Sequence, residues 1–464
     1  MVPSASERLA AFAAELRFEM LPADVVAKLK LHLLDVLGVA LAGASMEFGG
    51  AALGVGTHLG GSPTCTVIGF RERLPAVWAA LVNGTLAHGL DYDDTHTESV
   101  VHVSASVVPA ALAACEETGA TGTGATGETL LAALAAGMEA NIRIGLVARG
   151  GFHDRGFHPT GICGTFASAL VAGTVAGLSP AQLADALGLA GSQAAGSLEF
   201  LTDGTSAKRL HAGWAAHSGV VAARLAAAGF SGPRGTLDGR FGLYRSHLGD
   251  SGWDLAALTD GLGARWELLN IGLKPYPCCH FNHAFIDCAA ALRATSMLVP
   301  DAIEEIECFI SAREVPVVCE PVATKRVPQN EYDAKFSLPY AVASMLVRGH
   351  VDVDDFTDAA IHHPQVLALA QRVVYRNDPE SDFPRRFPGR VRIRLRNGRS
   401  VEHHEPVNRG SAERPLSEDE VCDKFRRNAL RVLPREQAEA ALAAIASVEQ
   451  AADLSSLTAA LRPK

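Results

Sequence analysis

The sequence predicts a mainly α-helical fold that carries an α+β insert. Apolar residues recur with helical spacing through most of residues 1–265, whereas the alternation typical of β-strands first appears beyond residue 266. From residue 435 the chain returns to an alanine-rich helical pattern. A chain of 464 residues is also longer than a single hydrophobic core usually serves. We therefore expect a large, discontinuous all-helical domain formed by 1–265 and 435–464, and a smaller α+β domain formed by 266–434.

The first predicted domain contains helix-boundary signals as well as helical periodicity. Residues 21–43, LPADVVAKLKLHLLDVLGVALAG, place their apolar side chains on one stripe. Ser179 precedes Pro180 and is followed three residues later by Gln182, which is the pattern of a capped helix start. Residues 208–233 continue a helical pattern that ends at glycine. Because alanine and glycine dominate these segments, we expect their helices to approach one another closely.

The second predicted domain mixes strand and helix patterns. The segments AIEEIECFISA (302–312) and GRVRIRLRNGRSVEHHEP (389–406) alternate like strands, and Asn397–Gly398 is a strong two-residue hairpin signal. Residues 334–351 and 354–373, which lie between them, have helical spacing. We expect strands and helices to share one small domain here.

The charge balance argues against nucleic acid as a partner. Lysine and arginine number 41 against 51 acidic residues, which gives a formal net charge of −10 and a pI near 5.9. A local basic pocket in such a chain would suit an anionic small molecule. Nine cysteines without a CxxC pair are typical of reduced thiols in a cytosolic protein. The first residues lack a signal-peptide pattern, and the apolar stretch VLGVALAGAS is too short to span a bilayer. We therefore expect a cytoplasmic protein with no membrane partner.

The densest group of ionisable residues is AHGLDYDDTHTESVVH, residues 87–102. It follows a predicted helix at about 75–88 and precedes another helical pattern, so it connects two helices, where functional groups are commonly displayed. Asp91, Asp93 and His96 offer metal ligands, but the spacing matches neither HExxH nor DxDxDG. An acid/base site and a solvated loop with helix-capping aspartates are the other two interpretations. This segment alone leaves all three open.

Further stretches place histidine and lysine in otherwise apolar surroundings. His158 precedes Pro159 at a predicted helix start, where free N–H groups and the helix dipole favour an anion and lower an imidazole pKa. Charged residues set among alanine and glycine are consistent with carboxylate binding. They fall in TDGTSAKRLHAGWAAHSG and LKPYPCCHFNHAFIDCAAAL, and are Lys208, Arg209, His211, Lys274, His280 and His283.

These segments together resemble the MmgE/PrpD family. The matching motifs are NGTLAHGLDYDDTH, FHPTGICGTFASAL, AKRLHAGWAAHSGVVAARLAAAGFSGP, LKPYPCCHFNHAFIDCA and YDAKFSLPYAVASMLVRGHVDVDDF, with His102 between the first two. They occur in the family's order and cover most of residues 80–356. The resemblance implies a large helical domain with a lid-like α+β domain, a homodimer, and cofactor-free chemistry on small di- or tricarboxylates. It also implies that no metal is needed.

The resemblance carries the family's site onto specific residues of this chain. His102 and His158 are expected to transfer protons, and Asp91 to orient a histidine or a water. Lys208 and Lys274 are expected to bind substrate carboxylates from opposite sides of the cleft. Thr95 and Tyr340 would donate hydrogen bonds, Tyr340 within the catalytic group, and His283 would contribute to substrate binding. One departure is that the family often has His-Pro where this chain has His102–Val103.

The chemistry implied by the resemblance is the making or breaking of a bond at a carbon next to a carboxylate. A positioned base removes the weakly acidic proton, and cationic groups stabilise the resulting charge. Histidine can take and return such a proton near neutral pH. A 2-methylcitrate dehydratase-like lyase is the first expectation, with an iminodisuccinate epimerase-like isomerase or a cis-aconitate decarboxylase-like lyase as alternatives. A metal-dependent hydrolase using Asp91, Asp93 and His96 is a more distant one, as is a helical dimer that only binds a carboxylate.

Overall fold

The computed structural model describes residues 3–120, 124–250, 252–296 and 298–464. Its secondary structure is 58% helix and 8% strand, so the protein is mainly α-helical with a smaller α+β part, as the sequence predicted. The larger part consists of helices, listed in chain order: α1 Ala5–Glu15, α2 Ala23–Ala44, α3 Glu47–Leu59, α4 Ala76–His88, α5 Ser104–Ala120, α6 Gly127–Ala148, α7 Gly151–Asp154, α8 Pro159–Val175, α9 Pro180–Ala190, α10 Phe200–Asp203, α11 Ala207–Ala227, α12 Leu243–Leu248 and α13 Ala256–Thr259. Two short antiparallel strands, β1 Cys65–Thr66 and β2 Arg73–Leu74, accompany them.

Glycine allows the central helices to approach closely. Helix α11 packs against α4 and α8 in the middle of the larger part. A Cβ atom on Gly84 of α4 would lie 2.7 Å from the Cα of Gly213 on α11, and one on Gly219 would lie 2.4 Å from the Cβ of Ser168 on α8. Larger residues at these positions would push the helices apart. The close packing brings together the C-terminal end of α4 and the N-terminal ends of α8 and α11.

The smaller part is an α+β unit. Its sheet has the strand order β4-β3-β5-β6, formed by β3 Ile303–Ile310, β4 Val373–Asn377, β5 Gly389–Leu395 and β6 Ser400–Glu405. Strands β5 and β6 form the predicted hairpin at Asn397–Gly398, with Gly398 at φ +84°. Strand β4 pairs parallel to β3 and lies at the end of a segment that the sequence predicted to be helical. The helices of this part are α14 His283–Ser296, α15 Val315–Val318, α16 Val322–Arg326, α17 Glu331–Lys335, α18 Leu338–Arg348, α19 Asp358–Ile361 and α20 Pro364–Ala370.

Two hydrophobic cores show how far each part extends. The first contains residues up to Leu273 and resumes at Leu416, so that it includes α21 Glu418–Ala429 as well as α22 Arg435–Ala446 and α23 Ser455–Ala460. Phe425 of α21 packs against α2, with its Cα 3.2 Å from where a Cβ on Gly38 would lie. The second core contains Tyr276 and most of the buried apolar residues between 278 and 395. On this packing we propose that the helical domain resumes near residue 416, earlier than the residue 435 expected from sequence.

Most of the cysteines and the long apolar helix α6 are buried inside the fold. All nine cysteines of the chain are free thiols, and eight of them are buried. Within the described residues, α6 is long and apolar enough to cross a membrane, but 94% of its most apolar window is buried inside the fold. This burial is that of the core helix of a soluble protein.

Candidate active site

The acidic segment predicted from sequence forms a tight loop between α4 and α5. Thr95 pairs with Gly272 through two backbone hydrogen bonds, and His96 pairs with Val101 in the same way. Asp94 accepts hydrogen bonds from the backbone N–H groups of Val103 and Ser104, both at 3.0 Å, and so caps the start of α5. The helix-capping interpretation is therefore correct for Asp94 but not for the rest of the segment.

Three buried lysines fix the backbone of this loop. The ammonium groups of Lys335, Lys274 and Lys424 donate to three consecutive carbonyl oxygens, those of Leu90, Asp91 and Tyr92, at 3.0, 2.9 and 2.9 Å. Their hydrogen bonds come from different parts of the chain and converge on one turn. Asp91 has φ +53°, a conformation that is unfavourable for a residue other than glycine and requires such support.

Asp91 is bound by two lysines at once. Its Oδ1 lies 2.5 Å from Nζ of Lys208, in the first turn of α11, and 3.1 Å from Nζ of Lys274. Burial raises the pKa of Asp91, but the charges of Lys208 and Lys274 outweigh burial and hold this pKa well below its usual value. Both ammonium groups therefore meet at one carboxylate oxygen. The expectation that the two lysines bind substrate carboxylates from opposite sides of the cleft stays a prediction.

His102 presents an unprotonated nitrogen next to this carboxylate. Its Nδ1–H donates to the backbone carbonyl of Asp94 at 2.9 Å, which leaves the lone pair on Nε2. Nε2 lies 4.0 Å from Oδ1 of Asp91. Burial lowers the pKa of His102 to about 3, although Asp93 opposes the shift, so the ring is neutral near pH 7. Thr95 places its hydroxyl 3.4 Å from Nδ1 of His102.

His158 occupies the N-cap position of α8, where the sequence predicted a helix start. Its Nδ1 lies 2.9 Å from Nδ1 of His211, so that one ring donates a hydrogen bond to the other. The ring centroids of His158 and His102 are 6.2 Å apart. Burial and the positive charges of neighbouring groups lower the pKa of His158 well below its ordinary value. The two histidines predicted to transfer protons therefore lie side by side.

Sequence reasoning missed a buried pair formed by His88 and Asp93. Nδ1 of His88 donates to Oδ2 of Asp93 at 2.7 Å, and the ring of His88 stacks on that of His158 with centroids 5.4 Å apart. Burial raises the pKa of Asp93, but His102 and His88 outweigh it and lower the pKa to about 2. The position of His88 could have indicated the pair, because it ends a predicted helix seven residues before Thr95. The last turn of α4 directs its ring towards the loop.

The His88 group, formed by His88, Asp93 and His102, is the candidate metal centre of the described residues. One ligand atom from each of the three lies within 4.8 Å of the others. The trio predicted for a metal-dependent hydrolase is different, and His96 does not join it. Nδ1 of His96 instead lies 3.0 Å from the hydroxyl of Ser99 and accepts from its backbone N–H, which closes the tip of the loop.

A cavity opens in front of these groups, between the two hydrophobic cores. It encloses about 680 Å³ when its open mouth is included. The predicted site residues that line it are Asp91, Thr95, His102, His158, Lys208 and Lys274. His153, five residues before His158 and outside the matched motif, also lines the cavity.

The smaller part of the protein contributes the opposite wall. His280 lines the cavity, and its Nε2 accepts from the Asn408 side chain at 2.7 Å, so its Nδ1 carries the proton. His283 lies behind His280, outside the lining residues, and donates from Nε2 to the Cys278 carbonyl at 3.1 Å. His283 therefore supports the wall and does not contact the cavity.

Tyr340 lies outside the cavity, in the second hydrophobic core. Its hydroxyl donates to the backbone carbonyl of Asp355 and accepts from Arg348 at 3.2 Å. These bonds hold the segment after α18 and leave the hydroxyl committed to the fold. Tyr340 therefore does not line the cavity in this structure, and its expected role in catalysis stays a prediction.

Comparison with known proteins identifies the family of the chain. The sequence model of the MmgE/PrpD N-terminal domain matches residues 7–256, and that of the C-terminal domain matches residues 276–450. The cis-aconitate decarboxylase of Mus musculus is 29% identical over the whole of this chain and 94% of its own length. A cis-aconitate decarboxylase-like protein of Aspergillus oryzae is 27% identical over 96% of this chain and 94% of its own, and the cis-aconitate decarboxylase of Aspergillus terreus is 26% identical over 89% and 87%. The chain belongs to the MmgE/PrpD family and is a lyase-type enzyme.

Proposed function

We propose that the enzyme transfers a proton to or from a carbon next to a carboxylate, without a cofactor, and that its overall reaction is a decarboxylation. The observation that carries the proposal is the neutral His102, whose unprotonated Nε2 lies 4.0 Å from Oδ1 of the lysine-bound Asp91. A base or acid held beside a pair of ammonium groups is what such a reaction requires.

The two lysines would hold the substrate carboxylate. Asp91 neutralises only one of their two charges, which leaves one positive charge for an anionic ligand at the inner end of the cavity. Oδ2 of Asp91 has no hydrogen-bond partner among the described residues and can accept one from a substrate hydroxyl or a water. Lys208 and Lys274 would also stabilise the negative charge that develops on the substrate during the reaction.

Decarboxylation can be written with these groups alone. The C–C bond to the leaving carboxylate breaks, carbon dioxide departs, and the electron pair spreads from the carbon into the neighbouring unsaturated carboxylate held by the lysines. The anionic substrate raises the proton affinity of His102, so that Nε2 takes up a proton from water when the substrate binds and then gives it to the carbon. We place decarboxylation first because the relatives described above are named for it.

Proton abstraction is the second candidate, because the low pKa of His102 leaves the resting enzyme with a base. Abstraction followed by loss of hydroxide gives the 2-methylcitrate dehydratase-like reaction first expected from the sequence. If His102 removes the proton from one face of the substrate carbon and His158 returns a proton to the opposite face, the epimerase-like reaction results.

Incubation in deuterated water separates these reactions. Methylcitrate, citrate, cis-aconitate and iminodisuccinate would be followed by NMR for carbon dioxide release, water loss and deuterium uptake. We expect carbon dioxide release with one deuterium placed on the carbon that lost it. Water loss or exchange without release would favour the second candidate. A folded enzyme that leaves every substrate unlabelled and unchanged would contradict acid/base catalysis and favour a carboxylate-binding protein.

We further propose a cytoplasmic homodimer, as the family resemblance implies. Leu210 and Trp214 on α11 are 45% and 39% exposed, and their spacing of four residues places them on one face of the helix. Burial of this face against a second copy would remove it from water. Light scattering during gel filtration tests this, since a mass of one chain at working concentrations would contradict the dimer.

A further inference from the structure

We propose that the substrate carries an apolar substituent of about the size of a phenyl ring in the position where a tricarboxylate carries its third carboxylate. The inference rests on the proposed function, because it takes the inner end of the cavity as the place where the reacting end of the substrate binds. The inference adds the chemical class of the part of the substrate that does not react.

The charges of the cavity do not balance three carboxylates. Among the described lining residues, Lys208 and Lys274 are the lysine and arginine side chains present, and both already contact Asp91. The nearby Arg209 does not line the cavity, because its guanidinium binds Glu331 at 2.8 Å and lies over the ring of Phe48. One spare positive charge can hold one carboxylate, and further carboxylates would lose water without gaining a counter-charge.

His280 adds one hydrogen bond but no charge. Burial lowers the pKa of His280 to about 3, so the ring is neutral at pH 7. Its Nδ1–H has no partner among the described residues. A second carboxylate or a carbonyl could accept from it, whereas a third carboxylate would find no cation on this wall.

The outer part of the cavity is lined by aromatic and aliphatic side chains. The rings of Phe281 and Phe387 meet edge to face with centroids 5.2 Å apart, and Phe383 packs against both at 5.3 Å. Phe336 closes the inner end, with its ring 5.2 Å from Nζ of Lys208. Such walls are suited to an aromatic or alkyl group, which gains by leaving water.

The mouth of the cavity exposes apolar side chains to water. Leu201 is 40% exposed and Val100 is 37% exposed, and the half-buried Val317 lines the cavity as well. Exposed apolar residues beside a cavity mark a place where an apolar group binds. A substituent that extends from the reacting carbon would cover them, and a carboxylate in the same place would not.

Isothermal titration calorimetry of the whole enzyme with three unreactive probes tests the proposal. The probes are succinate, tricarballylate, which adds a third carboxylate, and 2-benzylsuccinate, which adds a benzyl group instead. Burial of the ring should make benzylsuccinate bind about ten- to hundred-fold more tightly than succinate, and more tightly than tricarballylate. Tricarballylate binding as tightly as benzylsuccinate or better would overturn the proposal, and so would the absence of saturable binding by benzylsuccinate.

A charge-gain variant provides a second test. Val317→Arg adds a cation to the apolar wall at a half-buried position and should raise the affinity for tricarballylate about tenfold, because one charge-assisted hydrogen bond is gained. Val299→Arg adds the same charge at a position that is 61% exposed and outside the cavity, and should leave it unchanged. An equal effect of both variants would contradict the assignment of this wall.

The binding experiments distinguish failure of this inference from failure of the proposed function. If wild-type enzyme prefers benzylsuccinate but an unsaturated dicarboxylate that carries a benzyl group is neither decarboxylated nor labelled in deuterated water, the substrate class stands and the reaction is wrong. If labelling occurs but tricarballylate is preferred, the reaction stands and the apolar substituent is wrong.

Discussion

Replacement of His102 by glutamine removes the side chain that transfers the proton in the proposed mechanism. The Nε2 lone pair disappears, while the backbone N–H of residue 102 can still donate to the hydroxyl of Thr160 at 3.1 Å. Proton transfer by a positioned side chain is worth about 10²–10⁴-fold in rate, or about 3–5 kcal/mol of activation free energy. We therefore expect kcat to fall by this factor. Loss of the hydrogen bond to the Asp94 carbonyl should lower stability by only about 1 kcal/mol.

The assay is steady-state turnover on whichever substrate the wild-type enzyme converts, measured together with the thermal unfolding midpoint. His217→Gln is the matched control, since His217 lies on α11 outside the cavity and donates to the Val77 carbonyl at 3.1 Å. His153 would be a poor control because it lines the cavity. A His102→Gln enzyme with wild-type kcat, or a His217→Gln enzyme that loses activity without unfolding, would refute the assignment.

Four further predictions follow from the same geometry. His158→Gln should lower kcat by about 10²–10⁴-fold with the fold retained, and unchanged turnover would remove this ring from the proton path. Lys208→Met and Lys274→Met should each lower kcat/KM by roughly ten- to hundred-fold, because a charge-assisted hydrogen bond is lost, and near-normal kinetics in both would leave them as structural lysines. Activity should survive prolonged chelation, whereas loss on stripping and recovery with zinc, iron or manganese would assign an ion to the His88 group. The free energy of unfolding should fall as pH drops below about 6.5, because burial lowers the pKa of His96 to about 4 and the unfolded chain then binds a proton that the folded protein does not. This histidine alone accounts for about 1–2 kcal/mol between pH 6.5 and 5, so denaturant titrations of wild type and His96→Asn should converge as the pH falls, and parallel curves would contradict the sign.

The sequence could predict the acid/base loop because its chemistry and its place between two helices are both local properties. Residues 87–102 end one helix and begin the next, and close packing of α4, α8 and α11 follows from glycine at the contacts. What local pattern cannot give is the direction of a side chain. Asp94 reads like Asp91 in the sequence, yet one caps α5 and the other binds two lysines.

The differences between the sequence expectations and the structure have the same physical origin. Tyr340 occupies a matched motif, but the start of α18 directs its hydroxyl towards the Asp355 carbonyl and away from the cavity. Val373 ends the segment that the sequence predicted to be helical, 354–373, but begins β4, because a short apolar run fits either period and pairing with β3 decides between them. Helix α21 was assigned to the insert because most of its residues are charged and gave no sign of a buried face. Its apolar Phe425 nevertheless packs in the helical core.

The central claim is that Lys208 and Lys274 hold a substrate carboxylate in front of the neutral His102. A crystal structure of the enzyme with 2-benzylsuccinate bound tests it most directly. The account predicts one carboxylate within hydrogen-bond distance of both ammonium groups, and the adjacent carbon about 3–3.5 Å from Nε2 of His102. A ligand whose carboxylates bind elsewhere, with Asp91 and the two lysines left in contact only with one another, would contradict it.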